Sequence, residues 1–246
     1  MTHFVLAHGG WHDAWCWEPL IAELGHWGHE ATAVSMPTDV PGRGAQSYAE
    51  VLAAAVVPEG SVIVGHSLAG LALPLVPHLA SVRACVYLAA LLPDPGRSWR
   101  DQLRDKPMAD WFYSNALQLQ QRDEQQRTFW SAKVASELFF HDCADDVAAR
   151  SAARLRPQAS DPVAERSPVL SFPEVPTHYV MGRDDRAVST TWAAAAARDR
   201  LGVEPIWIEG GHSPFLSRPA QLADLLAGLD AARTPDHLPN AEGAIS

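Results

Sequence analysis

The stretch that decides the fold runs from residue 61 to residue 70 and reads Ser-Val-Ile-Val-Gly-His-Ser-Leu-Ala-Gly. Its apolar beginning predicts a buried strand, and the small residues that follow predict a sharp turn into a helix, with Ser67 at the apex. A serine on such a strained turn presents its hydroxyl above the sheet, which is the form of a nucleophile elbow. Ala69 stands where the elbow pattern has a second glycine, and an ordinary loop serine remains the alternative for this short motif alone.

A serine nucleophile needs a histidine base, and the sequence offers one in the required place. The strand-like run at 204–208 is followed by Glu209, two glycines and His212, ahead of a predicted helix. The only other histidine beyond residue 185 is His237, which stands in a proline-bearing polar tail where disorder is the default. Order along the chain, placement after a strand and elimination therefore all favour His212 as the base.

The acid that orients this base is predicted after the strand-like run 177–181, where Asp184 and Asp185 are adjacent. We favour Asp185, because the three residues after it lead into the next predicted helix, as an acid loop commonly does. Asp184 remains the alternative, since either carboxylate could instead cap or solvate the turn.

The beginning of the chain supplies a further part of the same chemistry. A short apolar strand at 4–7 is followed by His8-Gly9-Gly10-Trp11. Acyl transfer places negative charge on a carbonyl oxygen, which two fixed backbone amides stabilise. One comes from the residue after the nucleophile and the other from a glycine loop of this kind, so we predict the amides of Leu68 and Gly10. A plain strand-to-helix turn is the alternative for the loop.

Residues 3–17, His-Phe-Val-Leu-Ala-His-Gly-Gly-Trp-His-Asp-Ala-Trp-Cys-Trp, resemble the opening of one branch of the α/β-hydrolase superfamily. This is the plant methyl-esterase and hydroxynitrile-lyase branch, with its bacterial esterase relatives. Four further features recur in the same order: the tryptophans Trp15 and Trp17, the elbow at 65–70, the acid loop at 182–188 and Gly210-Gly211-His212. The resemblance covers most of residues 3–230 and implies the α/β-hydrolase fold and a serine esterase.

Two departures from this branch bear on the reaction, and one is that Gly10 stands where the lyases resemble one another in a threonine at the oxyanion loop. The lyases that the chain resembles carry a lysine directly after the histidine, and Ser213 stands in that place here. We therefore expect ester hydrolysis through an acyl-enzyme, in which Ser67 attacks, His212 moves the proton and Asp185 orients the imidazole. A lactonase, a thioesterase, a cyclising enzyme, a lyase or oxygenase on the same fold, and a non-catalytic ligand-binding receptor remain the alternatives.

The composition narrows the classes of partner. The chain has 246 residues, of which 47% are hydrophobic, and this suits one domain with an insertion. Its net charge of −10 argues against nucleic acid or an anionic membrane surface, so we expect a small-molecule ester as partner, with a homodimer left open. No leader-like start and no long apolar run are present, so the sequence predicts a cytoplasmic protein.

Neither a disulfide framework nor a metal site is predicted. The three cysteines are odd in number and widely spaced, which is typical of inert thiols. The two closely spaced histidine pairs lack a third convergent ligand. We expect no metal and no organic cofactor, since serine hydrolysis needs neither.

Alternating strand-like and helix-like segments predict an α/β fold with a mostly parallel, doubly wound sheet. Strands are predicted over 3–7, 30–35, 61–65, 83–89, 176–181 and 204–208. Helices are predicted over 15–27, 46–56, 68–80, 190–201 and 217–231. The predicted division is an α/β-hydrolase core of residues 1–93 and 173–232, a helical lid of residues 94–172 and a disordered tail of residues 233–246.

The predicted lid is rich in aromatic residues mixed with charged ones at helical spacing. An insertion after the strand at 83–89 lies at the carboxyl edge of the sheet, where it would roof the serine. We therefore predict an apolar pocket between Trp11 and the lid residues Trp111, Phe112 and Trp130, suited to a small, mainly apolar or aromatic ester. Packing within the lid's own core is the alternative for each of these side chains.

Overall fold

The computed structural model of the chain describes residues 1–105, 108 and 110–231, without the side chains of residues 105, 111, 112, 230 and 231. The described residues contain eight strands: β1 (His3–Ala7), β2 (Glu30–Val34), β3 (Ser61–His66), β4 (Val82–Leu88), β5 (Gln121–Arg122), β6 (Thr128–Phe129), β7 (Thr177–Gly182) and β8 (Ile206–Ile208). Six of them form one parallel sheet in the order β2-β1-β3-β4-β7-β8, while β5 and β6 form an antiparallel pair.

The α-helices of the described residues are α1 (Glu18–His26), α2 (Ala45–Ala53), α3 (Trp99–Asp105), α4 (Trp111–Ala116), α5 (Ala132–Phe139), α6 (Asp145–Ala153), α7 (Asp161–Ala164), α8 (Thr190–Ala196), α9 (Pro214–Ser217) and α10 (Pro219–Ala231). Short 3₁₀ helices span Ala14–Trp17, Ser67–Leu71, Leu73–His78 and Leu117–Leu119, and a π-helical turn spans Ala197–Leu201. None of these helices combines the length and apolar character needed to cross a bilayer.

The predicted site lies at the point in the sheet where the strand order reverses. From β1 the chain adds β2 on one side and then β3 on the other, and ligands bind beyond the carboxyl ends of strands at such a switch point. The register pairs Ala7 of β1 with Gly65 of β3, so the segments that follow the two strands run side by side. The loop after β1 therefore lies beside the turn that carries Ser67.

Each face of the sheet is buried by helices, as the apolar strands require. Alternate residues of β1 divide between the two sides: Val5 belongs to the cluster that includes α2 and α8, and Phe4 belongs to the cluster that includes α1 and α10. All six residues of β3 are buried. This two-sided burial fixes the central strands and gives the site a rigid base.

The predicted α/β fold is confirmed, and each predicted strand of the sheet is present within two residues of its expected bounds. The predicted helix over 68–80 is wrong. The chain there forms two 3₁₀ helices, with Pro74 at the start of the second and Pro77 inside it. Proline has no amide hydrogen to donate and its ring crowds the preceding turn, so this segment cannot continue as a regular α-helix.

The segment between β4 and β7 contains α3 to α7 and also the β5–β6 pair. The sequence predicts a purely helical insertion, because a hairpin this short leaves no periodic pattern. A third apolar cluster, which includes Trp130, Phe139 and Phe140, packs within the insertion and against Trp11 of the loop after β1. The exact division into core and lid stays a prediction, and the tail over 233–246 lies outside the described residues.

Candidate active site

Ser67 directly follows β3 and has the strained backbone expected at the apex of an elbow, with φ of 51°. Close packing requires glycine on both sides of it. A Cβ at Gly65 would overlap the side chain of Leu73, and a Cβ at Gly70 would overlap the carbonyl of Leu91. The close approach expected of the second glycine in the elbow pattern therefore occurs at Gly70, and this explains why Ala69 is tolerated one residue earlier.

His212 and Asp185 form a buried hydrogen-bonded pair. Nδ1 of His212 lies 2.8 Å from Oδ2 of Asp185, and the side chains are 2% and 0% exposed. The other carboxylate oxygen of Asp185 accepts hydrogen bonds from the amides of Ala187 at 2.7 Å and Val188 at 2.9 Å. These contacts fix the rotamer of the acid and hold the proton of the neutral imidazole on Nδ1, so Nε2 is left as the basic nitrogen.

The neighbouring carboxylate takes a different position. Asp184 has an exposed side chain, and its backbone joins neighbouring loops: its amide donates to the carbonyl of Gly210 and its carbonyl accepts from His141. Of the two candidate acids, the structure brings Asp185 to His212. The three residues after Asp185 do lead towards α8, and the amides of two of them, Ala187 and Val188, hold its carboxylate in place.

The loop after β1 lies directly against the elbow. A Cβ at Gly9 would lie 2.7 Å from Cβ of Ser67, so only glycine allows this approach. Gly10 and Leu68 both line the cavity that Ser67 lines. Trp11 follows with φ of 64°, an unfavourable conformation for a bulky residue. The backbone of the loop is thus held in an uncommon shape at the point where backbone amides would be needed.

Three further histidines support these loops in their neutral form. His12 donates from Nδ1 to the carbonyl of Gly10 at 2.9 Å, and His66 donates from Nε2 to the carbonyl of His212 at 3.0 Å. Burial lowers the pKa of His12 to about 3 and that of His8 to about 4, and it holds the pKa of His66 well below its ordinary value. From the sequence, a metal site at His8 and His12 is not predicted, since no third ligand converges on them, and solvent or capping roles are favoured. Within the described residues no three metal-ligating side chains converge.

The insertion holds all three loops of the site by hydrogen bonds. The carbonyl of Trp11 accepts from the amide of Arg156, and its indole Nε1 donates to the carbonyl of Thr128 at 3.0 Å. Nε2 of His141 donates to the carbonyl of Asp184 at 2.9 Å, while Oδ2 of Asp142 accepts from the amide of Gly211 at 2.8 Å. The segment predicted as a roof therefore also positions the loop after β1, the loop that carries Asp185 and the loop that carries His212.

Ser67 and His212 line one cavity of about 240 Å³ together with residues of the insertion. The predicted residue Trp11 lines it, and the side chains of Trp111 and Phe112 lie outside the described residues. Trp130 does not line it. Its ring instead packs edge-on against Trp11 at 5.6 Å between centroids, so this side chain belongs to the core of the insertion, the alternative left open by the sequence.

The walls of the cavity are mainly apolar and come from several elements. The residues that sequence reasoning did not assign to it include Leu91, Trp99, Leu103, Met108, Tyr113, Leu117, Phe139, Val163 and Val188. The aromatic members belong to the aromatic-rich segment that the sequence predicts as a lid, but residue spacing does not reveal which ring faces the cavity and which faces the core. Gln158 is a buried polar residue that lines the cavity. Its Oε1 lies 3.3 Å from the position that a Cβ on Gly10 would take.

The chain is similar in sequence to one protein-family model and to esterases of plants. A model described as "Alpha/beta hydrolase family" matches residues 4–225. The chain is 28% identical to a probable esterase of rice, PIR7A, over 93% of this chain and 97% of that protein. It is 25% identical to methylesterase 3 of Arabidopsis thaliana, over 91% and 94% of the two chains.

Two solved structures share the fold at low sequence identity. The crystal structure of polyneuridine aldehyde esterase has a TM-score of 0.76 and 20% identity, and covers 94% of this chain and 99% of its own. A pyrethroid hydrolase from Sphingobium faniae has a TM-score of 0.72 and 20% identity, covering 94% and 98%. At this level of identity the likeness concerns the arrangement of the chain and not its substrate.

Proposed function

The chain belongs to the alpha/beta hydrolase family, and from this premise we propose that it hydrolyses carboxylic esters through an acyl-enzyme on Ser67. One observation carries the proposal: Ser67, on a strained turn, lines the same cavity as His212, whose Nδ1 is 2.8 Å from the buried carboxylate of Asp185. The near full-length similarity to a probable esterase and a methylesterase supports the same reaction.

In the first step His212 acts as the general base. Its Nε2 takes the hydroxyl proton of Ser67 as Oγ attacks the ester carbonyl. The imidazolium that forms is stabilised by the carboxylate of Asp185, which the amides of Ala187 and Val188 hold in place. Since the pair is buried, this charge interaction is stronger than it would be in water.

The negative charge on the carbonyl oxygen is stabilised by the amides of Leu68 and Gly10. His212 then returns the proton to the leaving alcohol, and the acyl group stays on Ser67. Water enters, loses a proton to the same histidine and releases the acid, which restores Ser67. Apart from this water and the ester, every group that takes part belongs to the protein.

The walls of the cavity favour a small ester with an apolar or aromatic body, since Leu68, Met108 and Phe139 contribute to them. Hydrolysis is favoured over a lyase reaction that depends on a lysine directly after the histidine, because the chain has a serine in that place. Ser213, in the position of the lyase lysine, is fully buried. A cytoplasmic location and a small-molecule partner stay predictions from composition.

The test is the turnover of p-nitrophenyl butyrate by the purified protein and by Ser67→Ala. We expect hydrolysis by the natural chain and a loss on the order of 10⁴ to 10⁶ in kcat for the variant, as occurs when a triad serine is removed. Ser171→Ala is the control, because Ser171 is exposed and does not line the cavity. Equal activity of Ser67→Ala and the natural chain would refute the proposal.

A further inference from the structure

The exposure of the lining residues distinguishes the bottom of the cavity from its mouth. His212 and Phe139 are each 2% exposed, and they lie at the closed end with the candidate nucleophile. Leu103 and Leu117 are 38% and 46% exposed, and they lie where the cavity opens to solvent. A bound ester therefore has its reacting carbonyl at the bottom and its far end at the mouth.

The mouth carries positive charge from two separate elements. Arg100 of α3 and Arg122 of β5 both line the cavity and both are exposed. Neither an aspartate nor a glutamate occurs among the described residues that line the cavity. The local charge is thus opposite to the net charge of −10 on the whole chain.

Within the described residues, no carboxylate pairs with either of these two cations. Arg122 donates to the carbonyl of Gln126, and within the part of the chain that the structure describes neither arginine forms an ion pair. Arg104 on the same helix behaves differently, since it pairs with Asp101 at 3.1 Å and does not line the cavity. Uncompensated cations at the mouth of a cavity attract anions and strengthen the binding of an anionic group.

We propose that the mouth of the cavity is an anion subsite, and that the preferred substrates are esters with a carboxylate at the end farthest from the reacting bond. This rests on the proposed ester hydrolysis at Ser67. The apolar walls accommodate the body of the substrate, while Arg100 and Arg122 bind the distal carboxylate by charge-assisted hydrogen bonds. The subsite acts on the choice of substrate and takes no part in the chemical step.

The experiment compares two matched esters, p-nitrophenyl hydrogen adipate, which has a distal carboxylate, and the corresponding terminal amide. The readout is the ratio of their kcat/KM values. Two exposed cations give an expected ratio of about 5 to 20 in favour of the carboxylate at low ionic strength, at a few-fold each. The ratio should fall towards 1 in about 1 M salt, because screening then acts within ~3 Å.

The double variant Arg100→Gln with Arg122→Gln should bring the ratio close to 1 at low salt. Arg104→Gln is the matched control and should leave both rates and the ratio as in the natural chain. A ratio of 1 or less in the natural chain, or a ratio that neither salt nor the double variant lowers, would overturn the subsite. Absence of nitrophenol release from both esters would instead overturn the proposed function, and the subsite with it.

Discussion

Replacing Asp142 with alanine is expected to lower kcat, although this residue belongs to the insertion and not to the loops that carry the candidate catalytic groups. Oδ2 of Asp142 accepts a hydrogen bond of 2.8 Å from the amide of Gly211, the residue before His212. A hydrogen bond to a charged group contributes about 1.5–3 kcal/mol. Losing this much lowers the ratio of correctly placed to displaced His212 by roughly 10-fold to 100-fold, and kcat falls by up to the same factor where the two positions are otherwise close in free energy.

Asp142→Asn separates this positioning role from a general loss of stability. Asparagine keeps one acceptor oxygen for the amide of Gly211, so it should retain most of the activity. The assay is steady-state hydrolysis of p-nitrophenyl butyrate, with kcat expressed per folded molecule and urea unfolding measured alongside. We expect kcat to fall for alanine with little change in KM. Equal losses in both variants, or a loss that resides in KM, would refute the reasoning.

Three further predictions follow from single residues. Asp185→Asn should lower kcat by about 10⁴ through the wrong imidazole tautomer, while Asp184→Asn should have a mild effect, and steady-state kinetics that rank them in reverse would identify the other acid. Gly65→Ala should destabilise the fold by about 1–3 kcal/mol in urea unfolding through overlap in the core, whereas Gly25→Ala, in open space on α1, should stabilise it by about 0.5–1 kcal/mol. Burial lowers the pKa of His12 to about 3, so on acidification the unfolded chain binds this proton at a higher pH than the folded chain does. The contribution of neutral His12 to the free energy of unfolding is therefore complete above pH 6.5. The free energy of unfolding should fall as the pH is lowered towards 3, and it should fall less steeply in His12→Gln.

The sequence predicts those features that depend on strand pattern and motif order. The elbow at Ser67 could be located because an apolar run ends in small residues, and His212 because it follows the last strand. Both statements depend on local order along the chain. The same local signals mislead over 68–80, where apolar content predicts an α-helix but the prolines impose 3₁₀ turns.

Contacts between distant segments could not be predicted in this way. The support of Gly211 by Asp142 and the packing of Trp130 against Trp11 both depend on where the insertion lies over the sheet. A single sequence gives the residue types of the insertion but not its orientation. The aromatic stripe therefore predicts an apolar wall without identifying the side chains that face the cavity.

The central claim is that Ser67 is the nucleophile of an ester-hydrolysing enzyme, and labelling with a fluorophosphonate tests it most directly. The probe reacts only with a serine that is activated by a base, and peptide mass spectrometry locates the modified residue. The account predicts one label per chain, on Ser67, and a large decrease in the labelling rate when His212 is replaced by alanine. Absence of the label, or a label on another serine, would contradict it.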